Sequence, residues 1–411
     1  MTKPIHQSEP TAERLILAVK RLAEDRSIAA LSTRAIAEEA EVAPSAVNYS
    51  FGSFEGLIAA ARADADASRR GDWRRRAVGL AGLCCEACDL GPMLFSTTRD
   101  VAVGQIGEEA LFWDGVVQAA RQSSTVAESN GVQAERLFWA DVISACDLGW
   151  VPPEFLHAFS LALRFGYLVM RDADRFDPWA MALTNRFAER VTGGACDDAV
   201  DSAHRRRTED VANLEDAAAI PEHDTARHIL ETTKRTILDD GADAATFREI
   251  ARRSELSVSS VQHFFGSRKA YLAAAFTAIY ENVRDRAVPD FTFERRLSAS
   301  ELAKRIEGGR PLSSALPQRE YAAMQGVMLY ASRDSELRTL SEGLFARAGQ
   351  TSFQLLQALQ KPRGPIGRLD AQLFSLIATH LTTLDLASAP RGDTQGASGS
   401  QTERLLQVLF N

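Results

Sequence analysis

The chain contains one segment of about fifty residues twice. Residues 11–61 and 225–275 align without a gap at a constant offset of 214, and about a third of the aligned positions are identical. Self-similarity of this kind indicates that one supersecondary unit is used twice. The repeat divides the 411 residues into two halves, and each half is long enough to bury a core of its own.

Both copies have the apolar spacing of short helices rather than of strands. In the first copy Ser32 is placed to cap a helix near 33–40, and Pro44 stands at the first position of a short helix that ends near Ser50. In the second copy Thr246 and Glu249 predict a capping box. Each copy therefore predicts a helix, a helix–turn–helix and an exit helix. Units of this kind place one helix in the major groove of DNA.

The composition is that of an ordinary globular protein, with 45% apolar and 25% charged residues. No stretch is apolar enough to span a bilayer, and the polar start of the chain has no signal core, so we expect a cytoplasmic protein with no membrane contact. The net charge of −8 argues against indiscriminate nucleic-acid binding. Specific binding needs only a basic docking face.

The two copies differ in charge. Residues 11–61 hold five Lys/Arg against seven Asp/Glu, a net charge of −2, whereas residues 225–275 hold eight against six, a net charge of +2. Because phosphate contacts come from basic groups, the second copy is expected to contribute more to DNA affinity.

Catalytic and metal-binding motifs are missing from the sequence. The seven histidines are scattered without a His-x-x-x-His pair, and neither common glycine-rich phosphate loop occurs. Cys85 and Cys88 form one C-x-x-C spacing, but a zinc site needs a second pair. The sequence therefore predicts neither an enzyme nor a cofactor or metal. The cysteines are read as small apolar residues, with a thiol sensor or a metal site as the alternative.

The two segments resemble the DNA-binding domain of the tetracycline-repressor (TetR) family. The matching stretches are STRAIAEEAEVAPSAVNYSFGSFEGL and TFREIARRSELSVSSVQHFFGSRKAYL. The resemblance implies an all-α chain of two tandem units that form an intramolecular pseudo-dimer. We name its parts head one, body one, the linker, head two and body two; they cover residues 11–61, 62–191, 192–224, 225–275 and 276–411.

The family fold implies that each head is followed by a helical body that holds a ligand pocket, and that the last two helices of each body form the dimer interface. The sequence departs from the family at three places. Glu41 and Glu255 stand where the family has glycine in the turn, and Asn48 and Gln262 replace a tyrosine of the recognition helix. Phe54 replaces the family's phosphate-binding lysine in head one.

Candidate DNA-contacting residues follow from the exposed positions of the recognition helices and from the helix starts before them. In head one they are Thr33, Arg34, Pro44, Ser45, Asn48 and Tyr49. In head two they are Arg248, Ser257, Ser259, Ser260, Gln262, His263, Arg268 and Lys269. Any one of these residues taken alone fits an ordinary solvated surface position equally well. The recurrence of the set in register favours the DNA-contact interpretation.

The bodies show no alternating β-branched runs, and a short helix is expected in the linker at Thr208–Ala219. Long apolar-faced segments predict helices at Glu108–Arg121, Ala134–Leu148, Pro153–Arg171 and Pro178–Val191 in body one, and at Arg319–Arg333, Glu336–Gln360, Leu369–Ala387 and Thr402–Phe410 in body two. Body one is rich in aromatic residues, and a pocket for a planar or lipophilic effector is predicted to be lined by Phe112, Trp113, Phe138, Trp139 and Phe165. The alternative is that these rings are simply packed core, as aromatics at helical spacing usually are.

Together these features predict a sequence-specific DNA-binding transcriptional regulator, a ligand-responsive repressor that acts on a double-stranded operator with a small-molecule effector. One chain is expected to suffice for one operator, and further oligomerisation stays open. The alternative is an interaction protein in which one or both heads have lost DNA binding.

Overall fold

The computed structural model describes residues 10–81, 85–122, 129–194, 198–213, 223–287, 295–307, 315–386 and 400–411. This part of the chain is all-α; its only ladder-type pairing is an isolated bridge between Leu297 and Leu359. The helices of the first half are α1 Thr11–Asp25, α2 Thr33–Glu39, α3 Ser45–Phe51, α4 Phe54–Leu80, α5 Leu90–Gly104, α6 Ile106–Arg121, α7 Asn130–Ala145, α8 Pro153–Met170 and α9 Ala173–Thr192. The rest are α10 Asp198–Asn213, α11 Asp224–Asp240, α12 Phe247–Arg253, α13 Val258–Phe265, α14 Arg268–Ala287, α15 Ala299–Ile306, α16 Ala315–Arg333, α17 Arg338–Ala346, α18 Gln350–Leu356, α19 Arg368–Leu386 and α20 Gln401–Phe410.

The repeat is visible in the fold at the predicted offset. Helices α1, α2 and α3 of head one recur as α11, α12 and α13 of head two, and each head continues into a long exit helix, α4 or α14. Gly52 and its counterpart Gly266 end the third helix of each head with φ of 75° and 67°. A left-handed residue at this place lets the chain reverse into the exit helix, and glycine adopts it without a steric cost.

The helices of the bodies agree with the predicted segments, except that one predicted segment is divided and two further helices occur. The segment Glu336–Gln360, expected as one helix, is divided into α17 and α18 at Gly349, whose φ of 87° cannot continue a right-handed helix. Helices α5 and α15 were not predicted, although Ser298 and Glu301 form a capping box at the start of α15 that was readable in the sequence.

The linker holds a helix, but earlier than expected. We predicted a short helix at Thr208–Ala219, whereas α10 runs over Asp198–Asn213 and packs on α17 and α19. Asp201 Oδ1 accepts a hydrogen bond of 2.9 Å from the Leu369 N–H at the start of α19. The His204 ring lies 5.6 Å from the Trp179 ring. Residues 214–219 of the expected helix lie outside the described residues.

The two halves share one apolar core. Helix α8 packs against α19 and α17, and α6 packs against α16. The His380 ring of α19 lies 5.5 Å from Trp113 and 5.9 Å from Phe165. Gly326 permits the close crossing of α16 and α6, because a Cβ there would lie 2.7 Å from Val117 Cγ1. Helix α19 contacts α8 and α9 in this core, and α20 contacts α9. The pseudo-dimer interface expected from these helices stays a prediction.

A buried carboxylate links the halves near the end of α9. Asp370 is fully buried; its Oδ1 accepts from Arg190 Nε at 2.7 Å and its Oδ2 accepts from Arg186 Nη1 at 3.0 Å. Asp370 Oδ2 also accepts from the Gly367 N–H at 2.8 Å. Removing one partner of a buried ion pair leaves an uncompensated charge in a medium of low polarity, which is far more costly than losing a surface pair.

We therefore expect Asp370→Ala to lower the free energy of unfolding by about 3–5 kcal/mol. The matched control is Glu154→Ala on α8, since Glu154 faces Arg404 of α20 at 3.8 Å in a partly exposed pair. That change should cost less than about 1 kcal/mol. Urea unfolding of both variants measures the difference. Equal losses would contradict the assignment of Asp370 as the ionic link between the halves.

Candidate nucleic-acid interface

The helix–turn–helix of head one is built on three buried side chains. Ile36 and Ala37 of α2 and Val47 of α3 are fully buried. Ser32 caps α2, its Oγ accepting from the Ala35 N–H at 3.2 Å. The turn closes where the Val42 N–H donates to the Ala37 carbonyl at 2.9 Å. These contacts fix α3 relative to α2 and leave the opposite face of α3 to solvent.

Head two repeats this geometry. Ile250, Ala251 and Val261 are buried at the matching positions. Ser257 Oγ accepts from the Ser260 N–H at 3.0 Å and so caps α13. The Leu256 N–H donates to the Ala251 carbonyl at 3.0 Å, as its counterpart does in head one.

The turn residues Glu41 and Glu255 both have the left-handed conformation. Their φ angles are 54° and 56°. A side chain with a Cβ is strained in this region, and the family has glycine at this place. Neither glutamate is buried, so burial gives no compensation for the strain. Each head is therefore destabilised locally by backbone strain in the turn that precedes its recognition helix.

The predicted base-reading residues of head one share one exposed surface. Pro44, Ser45, Asn48 and Tyr49 are all exposed, and Tyr49 reaches 95%. Asn48 and Tyr49 thus offer an amide and a phenol at the part of α3 most open to a groove.

Head two presents a different set at the same place. Ser257, Ser259, Gln262 and His263 are exposed, and Ser260 is half-buried. The Ser257 hydroxyl lies 2.8 Å from the hydroxyls of both Ser259 and Ser260, so these three serines already share hydrogen bonds. Gln262 and His263 remain as the side chains of α13 with free polar edges.

The helices before the recognition helices begin at the predicted phosphate-contacting residues. Thr33 is half-buried and Arg34 exposed at the start of α2, and Arg248 is exposed at the start of α12. The N-terminus of a helix carries unpaired N–H groups and a positive dipole end, both of which favour phosphate. The two arginines occupy equivalent positions 214 residues apart.

Arg268 has a role that sequence reasoning did not anticipate. It was expected at phosphate, but its Nε donates to the Ala245 carbonyl at 3.1 Å and its Nη2 to the Ala242 carbonyl at 2.9 Å. Its Nη1 donates to Tyr330 Oη of α16 at 2.7 Å. The bond to Tyr330 joins head two to body two, whereas the bonds to Ala242 and Ala245 stay within head two. Each guanidinium nitrogen has an acceptor, and contact of Arg268 with phosphate stays a prediction. Lys269 is exposed, 4.0 Å from Glu336, and stays a phosphate candidate.

The capping box predicted in head two forms only in part. Thr246 Oγ1 accepts from the Glu249 N–H at 3.2 Å, but the Glu249 carboxylate turns to Arg252 and Arg253. Hydrogen bonds from these two arginines lower the pKa of Glu249 to about 2. At the matching positions head one has Glu38 and Glu39. This exchange of two acids for two bases accounts for the difference in net charge between the heads, and we did not single it out from the sequence.

Comparison with known proteins agrees with this geometry. Residues 15–61 and 229–275 both match the family described as "Bacterial regulatory proteins, tetR family". Both heads are tetR-family DNA-binding domains. The chain is also 37% identical over 60 residues to the HTH-type transcriptional regulator PksA of Bacillus subtilis (strain 168). That match covers 15% of this chain and 29% of the relative, so it extends little beyond one head.

The aromatic residues predicted as an effector pocket are packed on one another. Trp113 lies 4.6 Å from Phe165 and 5.6 Å from Phe112, and Phe138 lies 4.9 Å from Trp139. Trp113, Trp139 and Phe165 are buried. This arrangement is the packed core that the sequence left open as the alternative, and an effector site among these rings stays a prediction.

A buried ionic group lies beside these rings. Arg164, fully buried on α8, donates to Glu135 at 2.6 and 2.8 Å and also pairs with Glu109, which Arg69 reaches at 3.2 Å. Burial alone would raise the pKa of Glu135, but the Arg164 guanidinium beside it lowers that pKa to about 2. Trp139 Nε1 donates to Glu135 at 3.4 Å. The two arginines and two glutamates balance in charge within body one, although Arg164 Nε and Glu109 Oε2 are buried without a hydrogen-bond partner. Spacing along the sequence does not show that these residues meet.

The part of the chain that the structure describes holds no group of three or more His, Cys, Asp or Glu placed to bind a metal ion. Within those same ranges no helix is both long and apolar enough to cross a membrane. Cys85 and Cys146 are free thiols, half-buried and buried, whereas Cys88 is exposed.

We expect Glu41→Gly and Glu255→Gly each to raise the free energy of unfolding by about 0.5–1 kcal/mol, because glycine has no Cβ to strain at positive φ. Glu38→Gly in the right-handed part of α2 is the control and should lower it by about 1 kcal/mol. Chemical denaturation at fixed salt gives the three values. If Glu41→Gly proved as harmful as Glu38→Gly, the left-handed turn would carry no strain.

Proposed function

We propose that the protein is a transcriptional regulator, a ligand-responsive repressor, in which the two heads of one chain occupy the two halves of one operator. The observation that carries the proposal is the presence of two complete tetR-family heads on bodies that share one core. A helix–turn–helix protein usually obtains two heads by dimerisation. Here one chain supplies both, and the common core gives them a defined relation, so the chain acts as a pseudo-dimer.

The exposed residues of the recognition helices support unequal half-sites. Asn48 is suited to adenine, and Tyr49 to a phosphate or a thymine methyl. Gln262 and His263 present other donors and acceptors at the same two positions. A homodimer reads a palindrome because its heads are identical, whereas these heads are under no such constraint.

Ligand response in this proposal depends on the exit helices. Helix α4 runs without a break over 27 residues from head one into body one, where it packs on α7. Head one is also attached through Lys20, whose Nζ lies 3.0 Å from Glu108 Oε1 of α6 and 2.7 Å from Asp64 of α4. A change in the body that moved α4 or α6 would therefore move head one. A ligand shifts this equilibrium only by binding the two arrangements unequally.

The alternative function is an interaction protein whose heads no longer bind DNA, and the acidic charge of head one favours it for that head. The two functions differ in their response to salt. Specific DNA binding weakens steeply as counterions are restored to the phosphates. An operator selected from a random DNA pool, with affinity measured over a salt series, distinguishes them.

The first expected outcome is the stoichiometry. One chain should bind one minimal operator, because both heads belong to it. The mass of the complex, measured by light scattering or native mass spectrometry, gives the ratio. Two chains on a minimal duplex would exclude the single-chain arrangement, whereas extra copies on longer DNA would not bear on it.

The selected operator should also be asymmetric, because the two recognition helices present different side chains. A perfect palindrome as the most tightly bound site would contradict the prediction that the heads read different bases.

The second expected outcome concerns single residues. Gln262→Ala should cost about 1–3 kcal/mol of binding and relax base preference in one half-site only. Asn48→Ala should cost less, because head one has the less favourable charge. Lys269→Ala should weaken binding to all sequences alike and reduce the salt slope by about one unit. Affinity at several salt concentrations for the three variants measures this. Loss of all binding in Asn48→Ala together with no change in Gln262→Ala would show that head one, and not head two, contributes more to DNA binding.

A further inference from the structure

A cavity of about 520 Å³ lies between the two heads. Its walls come from the turn after α1 and the start of α4 in head one, and from the end of α11 and the turn after it in head two. Helices α6 and α16 close it on the side of the bodies. Ser27 of head one donates a hydrogen bond of 2.5 Å to Asp243 of head two beside it. The cavity is thus the place where both heads and both bodies meet.

Two arginines of this cavity have a buried Nε without a hydrogen-bond acceptor. Arg121, at the end of α6, has a buried Nε without a hydrogen-bond acceptor, and no ion pair or hydrogen bond joins its other nitrogens to a described residue. Arg62 of α4 donates from Nη2 to the neutral amide of Gln118 at 2.9 Å, and its buried Nε is also unsatisfied. Burial lowers the pKa of both guanidinium groups. Both arginines are half-buried, and a buried N–H without an acceptor is costly, so an anionic acceptor placed here would be stabilised.

Most acidic residues that line the cavity already have a hydrogen-bond or ion-pair partner. Asp114 accepts from Arg333 Nη1 at 3.1 Å and Nη2 at 3.2 Å, and Asp240 pairs with Arg253 at 2.6 Å. Asp243 accepts from Ser27, and Asp239 has a partner of its own. Glu55 is exposed. These acids offset part of the charge of Arg62 and Arg121 but accept no hydrogen bond from either Nε, and their number disfavours a ligand of several negative charges.

The remaining wall is apolar. Ile28, Phe54, Ile58 and Val117 line the cavity together with small residues. A volume of this size suits a small organic molecule. An apolar skeleton would lie against these side chains while one anionic group reached the two arginines.

We propose that the cavity between the heads binds an amphipathic organic monoanion, a carboxylate or a similar single-charged group on an apolar or aromatic skeleton, held by Arg62 and Arg121. The binding of the anion does not depend on the proposed function; only its effect on DNA binding rests on that function. Because both heads line the cavity, an occupant there would bear on their separation. The site is separate from the aromatic region of body one.

The test uses two dyes on the full chain without DNA. Anilinonaphthalene sulfonate is an aromatic monoanion, and N-phenylnaphthylamine has the same skeleton without the charge. Both are followed by fluorescence, and the stoichiometry is measured by equilibrium dialysis. We expect one anionic dye per chain, bound about ten-fold more tightly than the neutral dye, since a hydrogen-bonded charge contributes that much. Arg121→Gln and Arg62→Gln should each reduce or remove this preference.

Arg74→Gln is the matched control, an exposed arginine of α4 outside the cavity, and it should keep the wild-type preference. Ala59→Trp is a second variant that adds bulk to the wall without changing charge, and it should weaken both dyes. Absence of binding, absence of a preference for the anion, or a preference unchanged in Arg121→Gln would overturn the proposal. The assay contains no DNA, so a protein that binds the dye but no operator would keep this site and lose the regulatory function.

Discussion

The buried carboxylate of Asp370 is the polar contact on which the joining of the two halves depends. It lies at the start of α19 and receives Arg186 and Arg190 from α9 of the other half. Arg190 also reaches the Pro365 carbonyl at 2.5 Å, and Arg363 Nη1 returns a hydrogen bond of 3.1 Å to the Arg190 carbonyl. A cluster of this kind is not required for stability in general, since well-packed apolar groups often do as well. Its consequence here is geometric, because only one register of α9 against α19 satisfies all the partners. The apolar core around it then follows that register.

The contacts between the halves are unequal, and this inequality is what covalent fusion allows. In a two-fold dimer each interface pair occurs twice. In this chain α9 meets α19 through a fully buried ionic cluster, whereas the corresponding pair, α20 and α8, meets through Arg404 and Glu154 in a partly exposed contact. The contacts that hold the two heads are unequal as well. Two arginines hold the end of α1 in head one, whereas Arg268 and Tyr271 hold the turn of head two. Each half has therefore been free to keep different residues for the same structural task.

The repeat and the helical spacing were enough to predict both heads, down to the cap at Ser32. The family resemblance singled out the turn at Glu41 and Glu255, which has the left-handed conformation in both heads. Those features depend on residues close together in sequence. Contacts between distant residues were not predicted. Arg268 follows an exit turn and is predicted to contact phosphate, and Tyr330, 62 residues later, accepts a hydrogen bond from it. Glu109, Glu135 and Arg164 lie on three different helices, and spacing within one helix does not reveal that they meet. The division of α17 from α18 depends on Gly349, where a Cβ would lie 2.5 Å from the Gln372 backbone of α19.

Arg333 shows how a change in one half can reach the head of the other. It belongs to α16 of body two, yet its Nη2 donates to the Ala23 carbonyl of α1 in head one at 2.9 Å and to Asp114 of body one at 3.2 Å. From the other side, Arg171 of body one donates to the Glu24 carbonyl at 2.7 Å. The end of α1 is thus held by one arginine from each body, at the helix terminus where the dipole favours cations. A shift of α16 would change the first of these bonds and leave the second in place. Helix α4, Lys20 and Arg171 would still attach head one to body one, so the end of α1 would shift relative to those attachments. The inter-head contact of Ser27 with Asp243 lies directly beyond that end in the chain.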